Sequence, residues 1–84
     1  MLESIYILLM VTAEHRIEKV LSRWTTANAC LAERKSLTLQ RQRLIAQKTG
    51  CTAEQRSGVG AENCTQVPHH MDKRYYCLPA HLYH

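Results

Sequence analysis

The hydrophobic positions in the first half of the chain repeat with a helical period. Between Ala13 and Trp24 the apolar residues 13, 17, 20, 21 and 24 follow the spacing of one helical face, with charged residues on the other faces. This spacing predicts an amphipathic helix, and the Thr12 hydroxyl is suited to cap it. The preceding residues 5–11 are continuously apolar, which fits a buried strand as well as two further turns of helix. We favour the helix.

A second helix is predicted from Ala27 to Lys48, where strong helix formers predominate and Leu37 and Leu44 recur seven residues apart. Gly50 stands where a helix end favours a residue with positive φ, so this helix should end near Thr49. The threonines at positions 25 and 26 favour a break between the two helices. The alternatives are a helical hairpin and one long rod.

Beyond Gly50 the composition changes to Gly, Pro, Ser, Asn and Thr, which permit only short elements. Thr52 and Gln55 have the spacing of a capping box and predict one brief helix. We therefore predict a mainly α protein: a small helical hairpin or long helices in residues 1–50, followed by an irregular C-terminal tail with a short helix in residues 51–84.

The size and charge of the chain favour a binding protein. A single domain of 84 residues is marginally stable alone and usually needs a disulfide, a metal ion or a partner surface. The net charge is +4, and its excess lies between Arg34 and Arg56, where Glu54 is the single acid. This distribution favours an acidic partner, either nucleic acid or protein.

The location expected from the sequence is an intracellular one. Residues 5–11 are far shorter than a membrane-spanning helix and lack the flanks of a signal peptide, so no membrane partner is expected. In a reducing cytosol the four cysteines are expected as free thiols or metal ligands rather than disulfides. No cofactor is expected, and zinc on Cys77, His81 and His84 is the alternative, although no tight C-x-x-C pair is present.

The candidate partner-binding residues are aromatic or basic, with one proline. Large aromatic and Arg side chains contribute most to measured interfaces, although Trp24 fits a place in the core equally well. An X-Pro bond in a flexible tail could gate docking, with a prolyl isomerase as helper at Pro68. The set is Trp24, Arg34, Lys35, Arg41, Arg43, Pro68, Tyr75 and Tyr76.

A small DNA-binding module is the alternative function. Residues 44–55 resemble the first helix and turn of a helix-turn-helix, but Arg56 stands where the second helix needs an apolar anchor, and Gly58 and Gly60 would interrupt it. The basic series could contact phosphates, and zinc could stabilise such a module. No nucleophile elbow, phosphate loop or paired carboxylates occur, so no enzymatic activity is expected.

A basic chain of this size, with a glycine-free first half and a polar tail containing Pro68, resembles the phage anti-RecBCD accessory proteins. The resemblance implies a non-enzymatic protein of the host cytoplasm. Such a protein binds the host RecBCD nuclease-helicase, through its RecC subunit, and alters the processing of DNA ends in favour of phage recombination. Pro68 is the one position that carries over.

Overall fold

The computed structural model describes residues 5–83 and has a three-stranded antiparallel sheet packed against one long helix. Strands account for 28% of these residues and helices for 47%, so the prediction of a mainly α protein is wrong and the fold is a small α/β one. The strand order is β2-β1-β3. The elements are β1 (Tyr6–Thr12), β2 (Ile17–Trp24), α1 (Ala27–Thr49), α2 (Ala53–Ser57) and β3 (Lys73–Pro79).

The central strand β1 has apolar side chains on both faces. Leu8 packs on one face with residues of α1 and β3, and Ile7, Leu9 and Val11 form a second cluster on the other. A continuous apolar run is typical of a strand that is buried on both faces. The helix favoured for residues 5–11 is therefore wrong, and the strand reading of the same run is confirmed.

The helix predicted between Ala13 and Trp24 is wrong: residues 13–16 form a turn and Ile17–Trp24 form β2, whose pairing explains the error. Ile17 and Val20 lie opposite Val11 and Leu9 of β1, with one irregularity in the register between these pairs and another next to Leu9. Such bulges add residues to one strand, so side chains on the same face fall three apart instead of two. The interrupted β pattern imitates the helical period.

The second predicted helix is confirmed as α1. Thr26 caps its start by accepting a hydrogen bond from the backbone of Ala29 at 3.1 Å. Its end follows Thr49, where Gly50 has a φ of 75° and donates to the carbonyl of Ala46 at 2.8 Å. The brief helix predicted at Thr52 is also present as α2, with both hydrogen bonds of the capping box.

Two disulfides cross-link the fold, and the expectation of free thiols or metal ligands is wrong. Cys30–Cys77 joins α1 to β3, and Cys51–Cys64 closes the loop that contains α2. By the chain-entropy model these cross-links contribute about 4 and about 3 kcal/mol to stability. They provide the supplement that a chain of this length needs.

The predicted irregular tail contains β3, which pairs along the whole of β1 from Tyr6 opposite Pro79 to Thr12 opposite Lys73. This pairing brings the end of the chain to the start of the sheet. The rest of the tail, as far as residue 83, contains α2, loops and three short 3₁₀ turns. None of the described helices combines the length and the apolar character needed to cross a bilayer.

Candidate functional site

The positive charge of the protein is concentrated on α1. The helix has one acidic residue, Glu33, and five basic ones, so its net charge is +4 and equals that of the whole chain. The remaining acidic and basic residues balance one another. The basic residues are Arg34, Lys35, Arg41, Arg43 and Lys48.

The structure divides the four predicted basic residues between two sides of α1. Arg34 and Arg41 are seven residues apart, or about two turns, and both turn towards β3. Lys35 and Arg43 are exposed. Their positions in the helical repeat, relative to Arg34 and Arg41, put them on the side of α1 that faces away from the sheet. The predicted set therefore does not form one patch.

The inner arginines hold α1 against Tyr75. Arg34 donates through Nε to the Tyr75 carbonyl oxygen at 2.9 Å, and Arg41 donates through Nε to the Tyr75 hydroxyl at 2.9 Å. The Arg41 Nη1 also donates to the Met71 carbonyl at 3.3 Å. These bonds fix the planes of both guanidinium groups.

The predicted aromatic anchors lie in different environments. Tyr75 is 8% exposed and packs with Leu8 and Cys30, whereas Tyr76 is 39% exposed and lies opposite Leu9 on the other face of the sheet. Trp24 is half-buried, packs against the Leu8 cluster and donates through Nε1 to the Ser22 hydroxyl at 2.7 Å. Of the three residues, Tyr76 is the most exposed.

Pro68 precedes the 3₁₀ turn His69–Met71 and is half-buried. Its carbonyl accepts a hydrogen bond from the Met71 backbone at 2.9 Å, and every peptide bond among residues 5–83 is trans. Pro68 is thus part of a hydrogen-bonded turn. It is distant in sequence from the residues on the outer side of α1.

The outer side of α1 carries a ridge that the sequence reasoning did not identify. Leu31, Lys35, Leu39 and Arg43 follow one another at intervals of four, and all four side chains are exposed. Both leucines are 45% exposed. We call these four residues the outer ridge. The sequence does indicate this ridge, because Leu and basic residues alternate at a spacing of four. Residues with that spacing lie next to one another along one side of a helix.

A shallow groove of about 390 Å³ runs beside the outer ridge. It combines two apolar side chains with two basic ones and two neutral polar ones. The lining residues are Leu31, Arg34, Lys35, Thr38, Leu39 and Gln42. An extended or helical segment with apolar and acidic side chains would complement this mixture.

A second concavity lies between α1 and β3 on the side of the inner arginines. Its volume is about 320 Å³, and its lining contains four basic residues and no acidic one. We call it the α1–β3 cleft. The basic lining residues are Arg34, Arg41, Lys73 and Arg74.

The cysteines and histidines do not assemble into a metal centre within the described part of the chain. Cys77 is in a disulfide, and His84, the third residue of the predicted zinc cluster, lies outside the described residues. No group of three His, Cys, Asp or Glu side chains suited to a metal ion occurs among residues 5–83.

The predicted half helix-turn-helix ends in a very short second helix. α2 contains five residues, about 7 Å of helix, and the disulfide Cys51–Cys64 closes its loop. A recognition helix must present several side chains to base edges in the major groove. Residues 44–57 therefore lack an element of the required length.

Comparisons with protein-family models, with curated proteins and with solved structures find no match to this chain.

Proposed function

We propose that this protein is a non-enzymatic binding protein that docks onto an acidic surface of a larger protein through the outer ridge of α1. The observation that carries the proposal is the alternation of exposed Leu31 and Leu39 with Lys35 and Arg43 along that ridge. The ridge is continuous over three turns of a helix that is anchored to the sheet. It is thus a rigid, preformed surface.

The exposed leucines favour a protein partner over a bare polyanion. A phosphate backbone gains nothing from an apolar side chain, whereas a protein interface has an apolar centre with charged residues at its rim. Leu31 and Leu39 would supply that centre. Lys35 and Arg43 would pair with acidic side chains of the partner. Such charge complementarity makes binding specific and speeds association.

The partner that we propose to test first is the RecBCD complex in the host cytoplasm, where binding would alter the processing of DNA ends. Support for this choice comes from the resemblance to phage anti-RecBCD proteins, which rests on size, charge and Pro68. A prolyl isomerase acting at Pro68 belongs to the same proposal. Because disulfides persist mainly in oxidising compartments, the assays should use both oxidised and reduced protein.

The proposal is tested by affinity capture from nuclease-treated bacterial lysate on the immobilised full-length chain. Lys35→Glu reverses a charge on the outer ridge, and Lys48→Glu makes the same change elsewhere on α1. We expect mass spectrometry to identify a protein that is retained by the wild type and by Lys48→Glu and is lost with Lys35→Glu. If no retained protein distinguishes the two variants, the outer ridge is not the docking surface.

Direct DNA binding is the second candidate, because α1 holds the entire net charge of the chain. A protein that neutralises several phosphates loses orders of magnitude in affinity between about 50 and 200 mM salt. An interface with an apolar centre weakens far less. Binding to bare duplex DNA with that steep salt dependence, together with an empty capture from nuclease-treated lysate, would favour the DNA-binding candidate.

A further inference from the structure

The α1–β3 cleft contains an arrangement of cationic groups that are not part of the outer ridge, although one of them, Arg34, also lines the groove beside that ridge. Arg34 and Arg41 line it from α1 and Lys73 lines it from β3, while Arg74, which lies opposite Val11 on the other face of the sheet, borders it at the free edge of β3. Gln42 adds a neutral donor from α1, whereas the Thr38 hydroxyl in the same lining donates to the Arg34 carbonyl at 2.8 Å. The cleft opens between α1 and β3, whereas the outer ridge points away from the sheet.

The two helix arginines are preorganised, and each keeps a free donor. Their Nε atoms are bonded to the carbonyl and the hydroxyl of Tyr75, so the guanidinium groups are fixed before any ligand arrives. Among residues 5–83, no partner is found for the Nη atoms of Arg34 or for the Nη2 of Arg41. Fixed planar forks with free N–H groups suit the oxygen atoms of phosphate.

The charge in the cleft is not cancelled by its surroundings. Lys73 pairs with Glu18 at 2.8 Å, and Asp72 is exposed beside it in the chain, but neither acid lines the cleft. Within the described residues, Arg34, Arg41 and Arg74 take part in no ion pair. The uncompensated charges are thus those of three arginines.

The spacing of these cations indicates the kind of anion. Arg34 and Arg41 are two turns apart, about 10 Å along the helix axis, which is wider than a single phosphate group. A chain of linked phosphates can engage both. The volume of about 320 Å³ is at the small end of small-molecule sites.

We propose that the α1–β3 cleft binds an oligophosphate, an anion of two or more linked phosphate groups, between Arg34, Arg41 and Arg74. Two kinds of molecule carry such linked phosphate groups: inorganic pyrophosphate and nucleotides. The four side chains of the outer ridge do not line this cleft, but Arg34, Thr38 and Gln42 line both the cleft and the groove beside the ridge, so a ligand in the cleft adjoins the docking surface.

Isothermal titration calorimetry of the full-length oxidised chain tests the proposal, with inorganic phosphate, pyrophosphate and ATP as separate titrants. Arg74→Gln removes the one uncompensated arginine of the lining whose side chain makes no hydrogen bond among residues 5–83. Arg23→Gln, on the exposed side of β2 and outside the cleft, is the matched control. Circular dichroism checks that both variants are folded.

We expect pyrophosphate to bind about ten times more tightly than phosphate, and Arg74→Gln to weaken pyrophosphate binding about tenfold. Arg23→Gln should stay within about twofold of the wild type, since it contacts no ligand. Tighter binding of ATP than of pyrophosphate would identify a nucleotide as the ligand. Equal binding of the two would show that the cleft recognises the phosphate chain alone. Absence of binding, equal affinities for phosphate and pyrophosphate, or equal effects of the two substitutions would overturn the proposal.

Discussion

Arg41 and Tyr75 hold the helix and the sheet together through one hydrogen bond and a cation–π contact. The Arg41 Nε donates to the Tyr75 hydroxyl at 2.9 Å, and its guanidinium carbon lies 5.6 Å from the centre of the ring. Both residues were expected to bind a partner. In the fold, Tyr75 is buried and Arg41 is oriented by it, so the two form an internal support of the α1–β3 cleft.

Tyr75→Phe should lower the free energy of unfolding by about 1 kcal/mol, because it removes the acceptor of the Arg41 hydrogen bond and keeps the packing of the ring. Urea unfolding measures the difference. Tyr76→Phe is the matched control, since Tyr76 is an exposed tyrosine of the same strand, and it should change stability by less than about 0.5 kcal/mol. Equal losses in the two variants would show that the hydroxyl bond contributes nothing specific.

The disulfides should dominate the stability of the chain. Cys30–Cys77 spans 47 residues and Cys51–Cys64 spans 13, so the chain-entropy model gives losses of about 4 and about 3 kcal/mol for the paired Cys→Ala variants. Small domains are stable by only about 5–15 kcal/mol. The Cys30→Ala/Cys77→Ala variant should therefore unfold at markedly lower urea concentration.

Thiol titration in denaturant provides the companion measurement to these variants. All four cysteines should be unreactive before reduction and reactive after it. Free thiols in the untreated protein, or wild-type stability of the Cys30→Ala/Cys77→Ala variant, would contradict the cross-linked fold.

The features that the sequence predicted correctly depend on local interactions. The end of α1 at Gly50 and the capping box of Thr52 and Gln55 need only neighbouring residues, and both are present. β2 could not be recognised, because a register irregularity opposite β1 spaces Ile17 and Val20 by three residues. The disulfides depend on residues up to 47 positions apart and on the redox compartment, neither of which the spacing of the cysteines reveals.

The candidate site was predicted in part. The basic residues of α1 were identified, but their division into an inner pair and an outer ridge depends on which side of the helix packs on the sheet. Leu31 and Leu39 were missed because leucines at helical spacing are usually core residues. Here the sheet covers the side of α1 that carries Cys30 and Leu37, which leaves both leucines in solvent.

Leu8→Ala should lower the free energy of unfolding by about 3 kcal/mol, since Leu8 is fully buried between the sheet and α1. Thermal or urea unfolding measures this loss. Leu39→Ala makes the same chemical change on the outer ridge and should cost less than about 0.5 kcal/mol. If Leu39→Ala were as destabilising as Leu8→Ala, the outer ridge would belong to a core, and it could not serve as a docking surface.

The most direct test of the outer ridge is the affinity of the purified captured protein for two leucine variants of α1. Leu39→Ser changes the ridge, whereas Leu44→Ser changes an equally accessible leucine, 51% exposed, that lies about 140° further round the helix. We predict that Leu39→Ser weakens binding about tenfold and that Leu44→Ser stays within about twofold of the wild type. Equal affinities of the two variants would contradict docking through the outer ridge.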